Sequence, residues 1–184
     1  MGLKVGLDID DCLADFINPY IRRFGKPKND YEITKNVFRK LRNDKDFWLS
    51  LPKLNTLDFT PELYCTKRVN SKNWTKQWLN SNGFSNRPVY QMYHQKGNKA
   101  DMIKGRVNLF IDDSLGNFIQ MNLSGVPCLL YNKDYNKHWN FGGRIYSLDI
   151  SHIEDTYHNF MRDTFLIFDK LVNDFTRNKI NSLN

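Results

Sequence analysis

Four short clusters in this chain carry side chains able to do polar chemistry. They are Leu7-Asp8-Ile9-Asp10-Asp11, Leu63-Tyr64-Cys65-Thr66 followed by Lys67-Arg68, the lone Lys99, and Leu109-Phe110-Ile111-Asp112-Asp113-Ser114. Acids routinely end strands and cap helices, and Asp11 or Asp113 taken singly has that explanation. All four clusters at the carboxyl edge of one sheet would be a different matter. Carboxylates crowded together repel unless a hard cation neutralises them, and an all-oxygen ligand set suits Mg²⁺. A hydroxyl and a lysine on the other side would bind the remaining oxygens of a phosphoryl group. An ionised aspartate at the centre can attack phosphorus, giving an aspartyl-phosphate that water then cleaves. A second aspartate two residues on shares its side of an extended chain, and can protonate the leaving oxygen and later deprotonate the water.

Those clusters need elements to bring them together. Strand-like runs recur at Leu3–Leu7, Glu62–Cys65, Val89–Met92, Val107–Ile111 and Val126–Tyr131. Helical patterns separate them. Leu13, Phe16, Ile17, Tyr20, Ile21 and Phe24 keep a helical stripe that Gly25 stops. Ser71 can cap a helix with Trp74, Trp78 and Leu79 on its inner face, ending near Gly83. Lys99 opens a short helix to Lys104, and Leu115, Phe118, Ile119 and Leu123 predict another closed by Gly125. Alternating strands and helices argue for a parallel sheet covered on both faces.

The expected fold is therefore α/β: a doubly wound, Rossmann-like parallel sheet over residues 1–17 and 59–150. Residues 18–58 carry helical patterns without a convincing strand, and an insertion directly after the first strand lies beside the ligand-binding edge of such a sheet. It reads as a small helical cap. Residues 151–184 predict a C-terminal helical extension through Ile153, Tyr157, Phe160, Met161, Phe165, Phe168, Leu171, Val172 and Phe175. Packing back onto the domain is the expectation, with a homodimer contact as the alternative and a frayed end after Thr176.

With Asp8-x-Asp10, Thr66, Lys99 and Asp112-Asp113 in this order, the chain resembles the haloacid dehalogenase (HAD) superfamily of phosphatases. The resemblance implies Asp8 as nucleophile and Asp10 as general acid and base, with Thr66, Lys67 and Lys99 around the phosphate. It implies Mg²⁺ held by Asp8, by Asp10 through its carbonyl, and by the Asp112-Asp113 pair. Within the superfamily, Asp8-Ile9-Asp10-Asp11-Cys12-Leu13-Ala14-Asp15-Phe16 resembles the opening of 5′(3′)-deoxyribonucleotidases. So do Phe47-Trp48-Leu49-Ser50-Leu51-Pro52, and the stretch from Tyr131-Asn132 to Arg144-Ile145-Tyr146-Ser147. That likeness implies a nucleoside monophosphate as substrate, with Phe16 and Phe47 or Trp48 against the base and Arg68 nearby. Plain core is the competing reading for each ring. Two departures stand out: Asp11 replaces a usual Gly, and Lys67-Arg68 replaces a small polar residue after Thr66.

Composition sets the outer bounds. The chain has 184 residues, 40% hydrophobic, with 13 Phe, 9 Tyr and 4 Trp. That favours one domain with a real core over a disordered chain. Three cysteines at wide spacing, Cys12, Cys65 and Cys128, predict buried thiols, not a zinc site or disulfide framework. There is no apolar run near the ~20 residues of a membrane span, and Met1-Gly2-Leu3-Lys4-Val5 lacks signal-peptide features. A soluble cytoplasmic protein is expected.

The net charge of +7 suggests acidic ligands. Residues 66–106 hold nine basic side chains against one acid, and residues 22–46 hold nine against four. A phosphatase acting on the 3′ ends of nucleic acid, through backbone contacts to Lys67, Lys72 or Lys96, is therefore the runner-up. A HAD phosphatase for another small phosphorylated metabolite is a third reading. A phospho-receiver switch fits poorly, because there the acid pair precedes the acceptor aspartate and no cap interrupts the fold.

Overall fold

A computed structural model describes residues 2–92, 97–139 and 142–164. Six parallel strands form one sheet: β1 (Val5–Leu7), β2 (Leu63–Thr66), β3 (Val89–Gln91), β4 (Leu109–Asp112), β5 (Cys128–Tyr131) and β6 (Arg144–Ile145). Their order is β3-β2-β1-β4-β5-β6, every neighbouring pair parallel. The fold is thus α/β and doubly wound. The runs Leu63–Thr66, Leu109–Asp112 and Cys128–Tyr131 are buried at every position, as strands covered on both faces must be. Sequence reasoning located five strands within a residue or two; β6, only two residues long, carries no periodicity to find.

Helices cover both faces. Between β1 and β2 come α1 (Ile17–Phe24), α2 (Asp30–Asn36), a π-helical turn (Val37–Leu41) and α3 (Lys45–Leu49). Further along come α4 (Lys72–Ser81), α5 (Lys99–Ile103), α6 (Leu115–Leu123), a 3-10 turn (Asp134–Asn136) and α7 over residues 150–164. On one face of the sheet Val5, Leu7, Tyr64, Leu109, Ile111 and Leu129 pack with the β1–β2 insertion, α4 and Ile153 of α7. On the other, Leu63, Cys65, Phe110, Cys128 and Leu130 pack with Ala100, Ile103, Phe118 and Met121 from α5 and α6. Among the described residues no helix is long and apolar enough to cross a membrane.

Three local expectations are corrected. The first helix begins at Ile17, not near Leu13, because residues 9–14 close a tight loop: Leu13 and Ala14 both donate to the Ile9 carbonyl, at 2.8 and 2.9 Å. Ile119 and Leu123 of α6 do not face inward; they are 39% and 83% exposed. Asn117, Phe118 and Met121 occupy the buried face instead. Ser71 stands at the N-cap of α4, but its hydroxyl accepts no capping hydrogen bond. In α7, Ile153 is buried while Tyr157 and Phe160 pack against the core, so this part of the tail folds back. Phe165, Phe168, Leu171, Val172 and Phe175 lie outside the described residues, as does Lys96.

Gly6, in the middle of β1, is there for space. A Cβ at this position would sit 2.9 Å from Phe110 Cδ2, 3.1 Å from Leu63 Cδ1 and 3.2 Å from Val107 Cγ1. These contacts come from β2, β4 and the loop before β4, all in a packed core, so none yields freely. Gly6→Ala is expected to destabilise the protein by about 1–3 kcal/mol, the usual cost of overpacking. Thermal denaturation checks it, and an unchanged melting temperature would show that the sheet yields here.

Candidate active site

The strand order reverses direction between β1 and β4, and a doubly wound sheet opens a crevice at the carboxyl ends there. Asp8 follows β1 directly and is tied to its neighbour through its own N–H, which donates to Ile111 O of β4 at 2.9 Å. Asp112 is the last residue of β4, and Thr66 the last of β2. Lys99 enters from the far side of the sheet as the first residue of α5, whose N-terminus is capped by Asn98 accepting from Ala100 N at 2.9 Å.

The centre is one ammonium between carboxylates. Lys99 Nζ lies 2.8 Å from Asp8 Oδ2 and 2.7 Å from Asp112 Oδ2, with all three side chains at most 9% exposed. Carboxylate oxygens of Asp8, Asp112 and Asp113 all fall within 4.8 Å of one another. Burial, then repulsion from Asp112, Asp113 and Asp10, push the Asp8 carboxyl well above its usual range against the pull of Lys99. Asp113 is pushed up to about 8, chiefly by burial, then by Asp112 and Asp11. Burial works against the charge on Lys99, but Asp112 and Asp8 outweigh it and hold its ammonium well above the ordinary lysine value. One ammonium cannot balance three buried carboxylates. This all-oxygen cluster could hold a hard divalent cation, which would offset the surplus negative charge.

The acid pair is not symmetric. Asp112 accepts from Lys99 Nζ, from Ser114 N at 2.9 Å, and from Asn117 Nδ2 at 3.1 Å on each oxygen. Its four acceptor sites are therefore used. Among the described residues the Asp113 carboxylate accepts only the Tyr135 hydroxyl and, at 3.7 Å, the Cys12 thiol. That thiol is buried and its acidity suppressed, first by burial and then by the charge of Asp113.

Around this centre the other expected residues take distinct places. Thr66 is buried, its Oγ1 accepting from Arg68 N at 3.2 Å. Lys67 donates to Asn117 Oδ1 at 2.7 Å, and burial with the nearby Lys99 lowers its hold on its proton. Lys67 and Asn117 line an open groove with Ser114, Gly116, Ile119, Gln120 and Leu123. The Asp10 carboxylate does not join the three-acid cluster; Arg68 forks onto it instead.

Phe16, Phe47, Trp48 and Arg68, the candidates for substrate contact, are all buried. Phe16 stacks on Trp48 at 5.8 Å between centroids and meets Phe47 edge-on at 6.1 Å. Trp48 Nε1 donates to Leu41 O at 2.7 Å. These rings pack against one another in the core, with Tyr20, Leu41 and Leu51 of the insertion in the same cluster.

Asp11 explains one departure. It adopts φ 57°, the left-handed region that a glycine enters more easily, and its carboxylate accepts from Phe16 N and Ile17 N, both at 3.1 Å. It caps α1 and takes no place in the acid cluster. Three residues went unread in the sequence: Asn117, Tyr135 and Asn136. Asn136 donates to the Asp113 carbonyl at 2.7 Å and to Tyr131 O at 2.8 Å, and is itself held by Arg144. Only their position just beyond strand ends could have pointed to them.

Compared with known protein families and curated protein sequences, the chain matches no family model and no curated sequence.

The buried charge makes a prediction about pH. Asp113 rises from 3.8 to about 8 and Asp11 to about 7, so between those limits the folded protein holds protons that the unfolded chain has lost. Their contribution is fully present below about pH 4 and is lost as pH rises to about 8. In EDTA the melting temperature should fall from pH 6 to pH 8, and Asp113→Asn should flatten that fall. Mg²⁺ should raise it more at pH 8 than at pH 6. Equal Mg²⁺ shifts at both pH values would mean that no cation meets this cluster.

Proposed function

We propose that this protein is a Mg²⁺-dependent phosphomonoesterase of the HAD type, working through an aspartyl-phosphate, with nucleoside monophosphates as substrates. The observation that carries the reading is Lys99 bridging Asp8 and Asp112 across the strand reversal, with Asp113 in the same buried cluster. Asp8, Asp112 and Asp113 would hold the metal together with the Asp10 carbonyl; Asp8 and Asp113 keep the most acceptor capacity among the described residues, while Asp112 also fixes Lys99 and Asn117. Bound there, Mg²⁺ would neutralise the surplus charge and polarise a phosphoryl oxygen.

Asp8 attacks phosphorus, and the P–O bond to the leaving oxygen breaks as Asp10 delivers a proton to it. Water then attacks the aspartyl-phosphate while Asp10 takes its proton, the bond to Asp8 breaks, and inorganic phosphate leaves. Lys99 and the Thr66 hydroxyl hold the non-bridging oxygens of the phosphoryl group.

A second reading has its own support. Arg22, Arg23, Lys26, Lys28, Lys35, Arg39, Lys40, Arg42 and Lys45 of the insertion are all exposed. Among the described residues they make one ion pair, Arg23 to Asp44 at 2.5 Å. Such a surface would suit the backbone of a nucleic acid whose 3′-phosphate enters the same site. A mononucleotide remains the first reading because it needs only the single phosphate that Thr66, Lys99 and the metal can hold. Other small phosphorylated metabolites would meet that same requirement.

Asp8→Asn should abolish turnover, and Asp10→Asn should lower it by about 10²–10⁴. Full activity in a contaminant-free Asp8→Asn preparation would end the covalent mechanism. Comparing deoxynucleoside monophosphates with 3′-phosphorylated oligonucleotides from low to high salt chooses the substrate. The mononucleotide should have the higher kcat/KM and a shallow salt dependence. A preferred oligonucleotide would instead lose affinity with a slope of about −0.7 to −0.9 per neutralised phosphate, and would install the second reading.

A further inference from the structure

Arg68 combines features that its role as a core residue does not explain. No part of its side chain is exposed. Its guanidinium carbon lies 5.2 Å from the Trp48 ring centre and 5.4 Å from that of Trp78, between α3 of the insertion and α4 of the sheet's cover. Nε donates to Asp10 Oδ1 at 2.9 Å and Oδ2 at 3.0 Å, and Nη2 donates to Oδ1 at 2.7 Å. Nη1 is buried and meets no hydrogen-bond acceptor among the described residues.

As a stabilising device this arrangement is poor. A fully desolvated cation with one nitrogen unpaired is balanced by one carboxylate that is itself 22% exposed. An apolar side chain of similar volume in such a place is often neutral or better for stability. What the arrangement does supply is orientation. Two indoles fix the plane of the guanidinium, and the fork then fixes the carboxylate, as a flexible point charge could not.

We propose that Arg68 is a positioning residue for Asp10: wedged between Trp48 and Trp78, it holds the Asp10 carboxylate in the orientation that transfers a proton to and from the substrate. The inference rests on the phosphatase reading and adds to it. Arg68 touches Asp10, not substrate. Oδ1 takes two nitrogens and Oδ2 only one, so Oδ2 keeps the capacity to pass a proton. One wall of the wedge belongs to the insertion, so the seating of that insertion and the aim of Asp10 are mechanically linked.

A double-mutant cycle tests this on the full chain, with Mg²⁺ and a nucleoside monophosphate. Arg68→Met should keep a near-wild-type melting temperature and KM while lowering kcat by about 10²-fold, the scale of a misplaced catalytic group. In an Asp10→Asn background the same substitution should change kcat little, because the group it positions is already disabled. Should Arg68→Met not fold, Arg68→Lys takes its place in the cycle. It keeps the charge but cannot fork, so it too should lose kcat only where Asp10 is present. Equal losses in both backgrounds, or a loss confined to KM, would overturn the proposal. Wild-type protein without Mg²⁺-dependent turnover, or turnover indifferent to Asp10→Asn, would instead defeat the phosphatase reading itself and the role of Arg68 with it.

Discussion

Three carboxylates buried around one ammonium are the constraint on which this molecule turns. Charges of one sign taken out of water cost more than almost any other arrangement of side chains, and Lys99 can offset only part of that cost. The fold brings Asp8, Asp112 and Asp113 together regardless, at the point where the sheet reverses its winding. Everything near them serves either to satisfy their oxygens or to keep them in place. Asn117 and the Ser114 N–H saturate Asp112, Tyr135 and Cys12 attend Asp113, and Ile9 N donates to Asp8 Oδ1 at 2.7 Å.

A parallel sheet suits this task. Each strand delivers its last residue to the same edge, and the buried, both-sided packing of β1, β2 and β4 leaves that edge little freedom to shift. Gly6 allows β1 and β4 to approach, and Asp8 N bonds Ile111 O as the ladder ends. The loops beyond the edge are then tied down one by one. Asp11 caps α1, Asn98 caps α5, and Ser114 accepts from Asn117 N at 3.4 Å to start α6. Helix capping thus sets where the polar side chains point.

The insertion after β1 contributes differently. Its apolar side chains Phe47 and Trp48 close it onto Phe16 at the edge of the sheet domain, while its exposed surface is dense with lysine and arginine. Arg68 links the two parts. It reaches from the loop after β2 to Trp48 on one side and Asp10 on the other, so a core contact and a polar contact share one side chain.

Much of this was legible in the residues alone. Strands buried on both faces write themselves as continuous apolar runs, which is why β1 to β5 and the α/β class could be read directly. Acids, a threonine and a lysine just beyond those runs named the candidate site for the same reason. Periodicity was less decisive for α6, where Leu115, Phe118, Ile119 and Leu123 form a plausible stripe. The helix is turned so that Asn117 reaches Asp112, which leaves Ile119 and Leu123 outside. Nor could spacing show that Arg68 would clasp a carboxylate 58 positions away, or that Tyr135 would meet Asp113 across 22. Local pattern determines which elements form because it reflects burial along one segment. Which polar groups meet depends on how separate segments pack, and only the tertiary structure decides that.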